Sequence, residues 1–237
     1  MLAEMNFHYN TVRPELLSLI KDVFEDPFFS GYRLVGGTSL SLQIGHRSSV
    51  DADFFSDGHG QPVAALKKHL VKFQFDLRKE EPDSGVLGIT GRGVKLDVFD
   101  YGDPFVLPAL EVDGMRLASL VDIGLMKLDV QRRRNAWKDL IDIYQIIRFH
   151  PIEKLLELYP KRYPGVQPKQ SFMALLNNLK NPPADNLYPR ELMFIQIEPS
   201  VIIKELTEKC MILSETLIRK EAQIIKDRVK HDKGMRL

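Results

Sequence analysis

The chain is short of cysteine, of tryptophan and of any surplus of charge: Cys210 and Trp137 stand alone in their classes, and 33 Lys plus Arg face 32 Asp plus Glu in 237 residues. One cysteine cannot close an intramolecular disulfide, which excludes a disulfide-stapled secreted domain and fits a reducing compartment. Balanced charge leaves net charge silent about anionic partners, so any basic surface has to be local. No run of 18 or more apolar residues marks a membrane span. Met1–Asn10 lack the apolar stretch of a secretory signal, and the expected setting is cytoplasmic, with no membrane partner. Repeats and low-complexity tracts are missing too. His46, His59 and His69 have no metal-ligand spacing with cysteine or acidic partners; they read as surface or packing residues, and zinc is not expected. What is present, 44% apolar and 27% charged residues, is the balance of a soluble globular protein, long enough for one large domain or two small ones.

Periodicity divides the chain. Leu16, Leu17, Ile20, Val23 and Phe24 follow the helical period over residues 11–27. Tyr32–Val35 is a short strand broken by Gly36-Gly37, and Thr38 is the expected N-cap of a helix through Ile44. Asp51–Phe55 is a second strand in which Asp51, Asp53 and Phe55 share a face. A helix over 62–70 precedes a strand in which Val71, Phe73, Phe75 and Leu77 alternate with polar residues. Val86–Thr90 and Val94–Asp100 flank Gly91-Arg92-Gly93, a hairpin signal, and Asp97 takes the face opposite Val94, Leu96 and Val98. Val112-Asp113-Gly114-Met115 suggests a second, tight hairpin. Ser119 with Asp122 approximates a capping box for a helix to about Arg134, and another helix runs over 138–149. Beyond Ile152 everything is helical, punctuated by prolines, with Ser200 capping a last long helix. The expected fold is α+β: a mixed sheet core flanked by helices over residues 1–117, then an all-helical region over 118–237.

The chemistry is carried by carboxylates and a glycine turn. Asp51-x-Asp53 on one strand and Asp97 on a neighbour collect three acids that repel one another unless a cation sits among them. Hard oxygen ligands suit Mg²⁺, or Mn²⁺. Two such ions can clamp the attacking and leaving oxygens of a phosphoryl displacement. A glycine turn opening a helix exposes backbone N–H groups at the positive end of the helix dipole, where triphosphate oxygens bind, and Thr38 and Ser39 add hydroxyls. Asp-x-Asp alone is weak, and Gly-Gly before a helix is commonly plain turn chemistry. Their order, Gly36-Gly37-Thr38-Ser39, then Asp51-x-Asp53, then Asp97, carries more weight than any one of them.

Gly36-Gly37-Thr38-Ser39-Leu40, His46-Arg47-Ser48 with Asp51-x-Asp53-Phe54-Phe55, and Met126-Lys127-Leu128 followed by Arg134 and Lys138-Asp139-x-x-Asp142 resemble the AbiEii/AbiGii toxin family of nucleotidyltransferases over roughly residues 30–150. The resemblance implies a polymerase-β-type core, a bacterial setting and a toxin role in abortive-infection or toxin–antitoxin systems, with a cognate antitoxin as possible partner. It implies that Gly36, Gly37, Thr38 and Ser39 hold an NTP, that Asp51, Asp53 and Asp97 ligate metal, and that Lys127 contacts phosphate while Asp139 serves the reaction. The other reading of Lys127 and Asp139 is a helix-to-helix ion pair. Arg47 either neutralises phosphate or pairs with a nearby carboxylate. Asn135 is a departure, since family members often carry glycine there; Asn tolerates the left-handed conformation.

The expected reaction moves an NMP from an NTP to a hydroxyl acceptor, with RNA, such as a tRNA 3′ end, ahead of a protein hydroxyl. The alternative is a catalytically silent module that binds nucleotide or a partner. Arg132-Arg133-Arg134 and the basic stretch over 219–236 either track an RNA backbone or form solvated helix faces. Trp137 reads as a packing anchor.

Overall fold

The computed structural model describes residues 7–71, 75–81, 85–90 and 93–234. An opening helix, α1 (Pro14–Glu25), buries Leu16, Ile20, Val23 and Phe24 with proline at its first position, where the missing N–H costs nothing. Then follow β1 (Arg33–Val35), α2 (Gly36–Ile44), β2 (Asp51–Ser56), α3 (Val63–Leu70), β3 (Phe75–Glu81), β4 (Gly85–Thr90), β5 (Lys95–Asp100) and the small pair β6 (Leu110–Val112) and β7 (Met115–Leu117). Among the described residues these strands form one seven-stranded sheet in the order β3-β4-β5-β2-β1-β7-β6. It is mixed: β2 runs parallel to β5 and β1 to β7, while the other neighbours are antiparallel. Asp113 and Gly114 both take positive φ, 46° and 77°, as the two-residue turn between β6 and β7 requires.

The helices follow as α4 (Leu120–Val130), α5 (Trp137–Ile146), α6 (Ile152–Arg162), α7 (Pro168–Lys180) and α8 (Pro199–Gly234). The Ser119 hydroxyl accepts the Asp122 N–H at 3.0 Å and donates to the Asp122 carboxylate at 2.6 Å, closing the expected cap. α5 is buried on nearly every side, which marks it as the central helix of this layer. One apolar cluster joins α1, α3 and the sheet; the other joins α4 to α8 and takes in Val35 and Leu40 from the first 117 residues. None of the described helices is long and apolar enough to cross a membrane.

Four local expectations need correction. Thr38 does not cap α2: Gly36, with φ of +67°, lets the helix start two residues earlier, with Val35 at the cap position. Ser200 likewise lies inside α8. Val71 ends α3 with its N–H bonded to the carbonyls of Lys67 and His69, and the described strand runs from Phe75, opposite Thr90; Phe73 lies outside the described residues. α4 stops at Val130, short of Arg134. The β4–β5 hairpin forms as expected, although Gly91 and Arg92 lie outside the described residues.

Candidate active site

The two-residue repeat of a strand decides what meets what. In β2, Ala52, Phe54 and Ser56 are buried in the sheet packing while Asp51, Asp53 and Phe55 take the other face. The parallel register with β5 then sets Asp51 beside Lys95, Asp53 beside Asp97 and Phe55 beside Phe99. Asp53 and Asp97 are thus cross-strand neighbours of like charge. Burial, and then the charge of Asp97, push the Asp53 carboxyl up to about 6. Burial also raises Asp97, against the opposing pull of Lys95. Lys95 donates to Asp97 Oδ2 at 2.7 Å, and Asp97 Oδ1 is buried with no hydrogen-bond partner.

The glycine turn lies against these acids. β1 pairs with β2 so that Val35 faces Asp53, and Gly36 follows at once. A Cβ on Gly36 would stand 2.2 Å from Asp53 Oδ2, and one on Gly37 would stand 2.3 Å from Arg47 Nη2. Both positions therefore need glycine: the first for its φ and for the carboxylate, the second for the guanidinium. Thr38 and Ser39 are turned inward. The Thr38 hydroxyl is bonded to Ser49 Oγ at 2.8 Å and to the Asp51 carbonyl, and Ser39 Oγ accepts from Gln43 Nε2 at 3.1 Å. The Thr38 hydroxyl holds the first turn of α2 to its surroundings, and the Ser39 hydroxyl is bonded within the helix.

Beside the acids stands a buried ionic cluster. Asp139 and Asp142 lie three residues apart on α5, on one helical face, toward the last turn of α4. Asp142 accepts from Arg47 Nε at 2.8 Å and Nη2 at 2.9 Å, shares 2.8 Å with His46 Nε2, and lies 2.7 Å from Lys127 Nζ. Lys127 donates to Asp139 at 2.8 Å and Arg134 adds bonds of 2.7 and 3.0 Å. Burial opposes both ionisations here, yet Lys127 and Arg47 hold Asp142 well below the usual carboxylate range, and Lys127 and Arg134 hold Asp139 below it. Lys127 is held above its ordinary value by Asp142 and Asp139 against its burial. Of the two readings of Lys127 and Asp139, the helix-to-helix ion pair is present. Arg47 pairs with Asp142, 95 positions away, and not with the acids near it in sequence.

Sequence reasoning left out two members of the site. Lys95 sits on the Asp97 face by the same alternation that identified Asp97, so its signal was there. Asp142 was quoted in a motif without a role; its i, i+3 relation to Asp139 on a helix rich in Leu and Ile was the available sign. His46 is fully buried and serves as an Asp142 partner, its Nδ1 without a hydrogen bond. Arg132 and Arg133 both bond to Asp129, at 3.0 and 2.7 Å, and the side chains over 219–236 lie outside those described. Asn135 does not adopt positive φ; its amide donates to the Asn181 carbonyl at 2.7 Å. Trp137 is buried, bonded to the Ala184 carbonyl at 3.1 Å and edge-on to Tyr188. His69 stacks on Phe28, and His59 is exposed beside Asp57. Among the described residues no three His, Cys, Asp or Glu side chains form a group that would hold a metal ion as they stand.

With this geometry in view, a family model described as nucleotidyl transferase AbiEii toxin, type IV TA system, matches residues 18–191. The chain is 29% identical over 143 residues to the uncharacterized protein aq_aa25 of Aquifex aeolicus strain VF5, covering 57% of this chain and 68% of that protein. The fold is similar to the crystal structure of JHP933 from Helicobacter pylori, with a TM-score of 0.54, 18% identity and coverage of 96% of this chain and 100% of that one. A second Helicobacter pylori crystal structure gives a TM-score of 0.52 at 20% identity, over 92% of this chain and 98% of the other.

Proposed function

This chain belongs to the nucleotidyl transferase AbiEii toxin family of type IV toxin–antitoxin systems, and on that premise we propose that it moves a nucleoside monophosphate from an NTP to a hydroxyl acceptor with release of pyrophosphate. The observation that carries the reading is the in-register placement of Asp53 beside Asp97, with Asp51 on the same face, against the positive-φ glycine that opens α2.

The donor chemistry suits a divalent cation, although the three side chains would have to draw together to hold one. Asp97 Oδ1 is buried without a partner, the neighbouring carboxyl of Asp53 is raised, and every donor is a hard oxygen. Asp51, Asp53 and Asp97 would hold Mg²⁺ or Mn²⁺, which when bound neutralises charge on the reacting phosphates. The protein's own share is binding and orientation. The Gly36-Gly37 backbone, whose missing Cβ atoms leave room for the Asp53 carboxylate and the Arg47 guanidinium, would present the first turn of α2 to the β- and γ-phosphates. Arg47, Lys127 and Arg134 set three cations against the two carboxylates of Asp139 and Asp142, so the cluster keeps one positive charge for the triphosphate. Asp142 acts through Arg47 and Lys127 and is a positioning residue. Residues 1–117 would carry the carboxylates, and residues 118–237 would supply Lys127 and Asp139 and shape the acceptor site.

RNA is the acceptor we favour, because Arg134, bonded to Asp139, keeps 61% of its side-chain surface exposed. The family also implies a cognate antitoxin as partner. The test is incubation with each α-labelled NTP, Mg²⁺ or Mn²⁺, and total RNA or lysate protein, beside the Asp51→Ala, Asp53→Ala double variant. Label on RNA with the wild type alone supports the reading. Label on protein moves the acceptor to a protein hydroxyl. Nucleotide binding without transfer to either, unchanged in the double variant, makes the chain a silent binding module.

A further inference from the structure

The cations around the carboxylates are not equivalent. Lys127 and Arg134 are tied to Asp139, and Arg47 and Lys127 to Asp142. Lys95 alone among these is bonded to a carboxylate of the proposed metal set, at 2.7 Å from Asp97 Oδ2. It reaches Asp97 from the same strand, two residues back, and its cross-strand neighbour is Asp51. A single ammonium can satisfy only part of this site: it holds one Asp97 oxygen and leaves the other, buried, with no partner. The lysine side chain is also 43% exposed. An ion pair with that much solvent access is worth about 1 kcal/mol or less, so it exchanges readily for a stronger cation.

We propose that Lys95 holds the place of the divalent cation in the nucleotide-free protein, a tethered counter-charge that a metal ion must displace from Asp97 before the carboxylates can bind it. This rests on the reading of Asp51, Asp53 and Asp97 as metal ligands. Its consequence is that metal alone binds weakly, since it competes with a charge that never leaves the protein. Removing the ammonium takes away both the competitor for Asp97 Oδ2 and the repulsion between lysine and metal.

The experiment is titration of the full chain with Mn²⁺ in the absence of nucleotide, with free Mn²⁺ read by electron paramagnetic resonance. The proteins are wild type, Lys95→Met, Lys95→Gln, Lys95→Arg and the Asp51→Ala, Asp53→Ala double variant. The expected result is that Met and Gln each tighten Mn²⁺ binding about tenfold, or about 1.4 kcal/mol, and that Arg, which keeps the charge, does not. Two uncharged replacements guard against one that fails to fold. Unchanged or weaker Mn²⁺ binding in both overturns the proposal. So does a loss of ATP affinity in EDTA in the same variants, which would make Lys95 a phosphate ligand. The double variant separates the two levels: if it binds Mn²⁺ like wild type, the carboxylate site itself is wrong, whereas if it loses binding and the Lys95 variants gain nothing, only the role of Lys95 falls.

Discussion

Asp142→Asn tests the ionic cluster most directly. The residue is fully buried, and its two oxygens receive His46, Arg47 and Lys127. Asparagine fills the same volume and keeps one acceptor, but its amide N–H groups must then face Arg47 or Lys127, which are donors themselves. Removing one partner of a buried ion pair costs about 3–5 kcal/mol, chiefly because the remaining charge is left uncompensated. Lys127 keeps Asp139 at 2.8 Å, which places the expected loss near the lower end, at about 3 kcal/mol. That is a large part of the roughly 5–15 kcal/mol by which domains are stable. The assay is urea denaturation at a series of pH values. Although burial opposes its ionisation, Lys127 and Arg47 hold Asp142 well below its unfolded value. A carboxyl lowered on folding contributes stability that is complete above its unfolded pKa, about 3.9, and that disappears as pH falls through the folded pKa. The wild type should therefore lose stability below about pH 5, and the Asn variant should lose less, so that the gap narrows with acid. Asp139, lowered in the same way, leaves some slope in the variant. A gap below about 1 kcal/mol at pH 7, or one that stays constant as pH falls from about 5 to about 3, would refute the reasoning.

Other consequences can be measured separately. Gly36→Ala forces a side chain into φ of +67° and 2.2 Å from Asp53 Oδ2, so it should cost about 1–3 kcal/mol in urea and depress nucleotidyl transfer by more than the fold loses; transfer at the wild-type rate in the folded fraction would contradict the site. Asp53 is raised to about 6 by burial and Asp97, so its ionisation costs stability as pH rises from about 4 toward 6. Asp53→Asn should then raise the melting temperature of the metal-free protein at pH 8 and leave it unchanged at pH 4; equal melting at pH 8 would mean that the acids are not crowded. Ser119→Ala removes the 3.0 Å cap bond to Asp122 N and should cost about 1 kcal/mol, measured as a lower urea midpoint at constant slope.

What could be read from the sequence was whatever depends on period. That Asp51 and Asp53 share one face of their strand, and that Asp97 lies on the face opposite Val98, was legible because a strand alternates, and that rule needs only neighbours in the chain. Boundaries were less legible, for reasons visible in particular residues. Val71 continues an apolar alternation, but its N–H is already taken by α3 carbonyls, and alternation cannot distinguish the end of a helix from the start of a strand. Thr38 has the right chemistry for a cap, but α2 starts at Gly36, with positive φ, and the Thr38 hydroxyl is taken by Ser49 and the Asp51 carbonyl.

The ionic cluster was harder to foresee, because His46 and Arg47 find Asp142 across about a hundred residues and nothing in local spacing selects that pairing. Its location nevertheless follows from the core. α5 is apolar around most of its circumference, so Asp139 and Asp142 are carried into the interior with it, and burial is tolerable only where cations meet them. Lys127 comes from α4, which packs against α5, and Arg47 from the connection between α2 and β2, whose Ser48 N–H is bonded to the Leu192 carbonyl at 2.7 Å. The glycine at position 37 then admits the Arg47 guanidinium to α2. One arginine thus ties the helical layer to the turn that also touches Asp53, so a substitution at Asp142 should disturb the carboxylates on the sheet although it lies on a different layer.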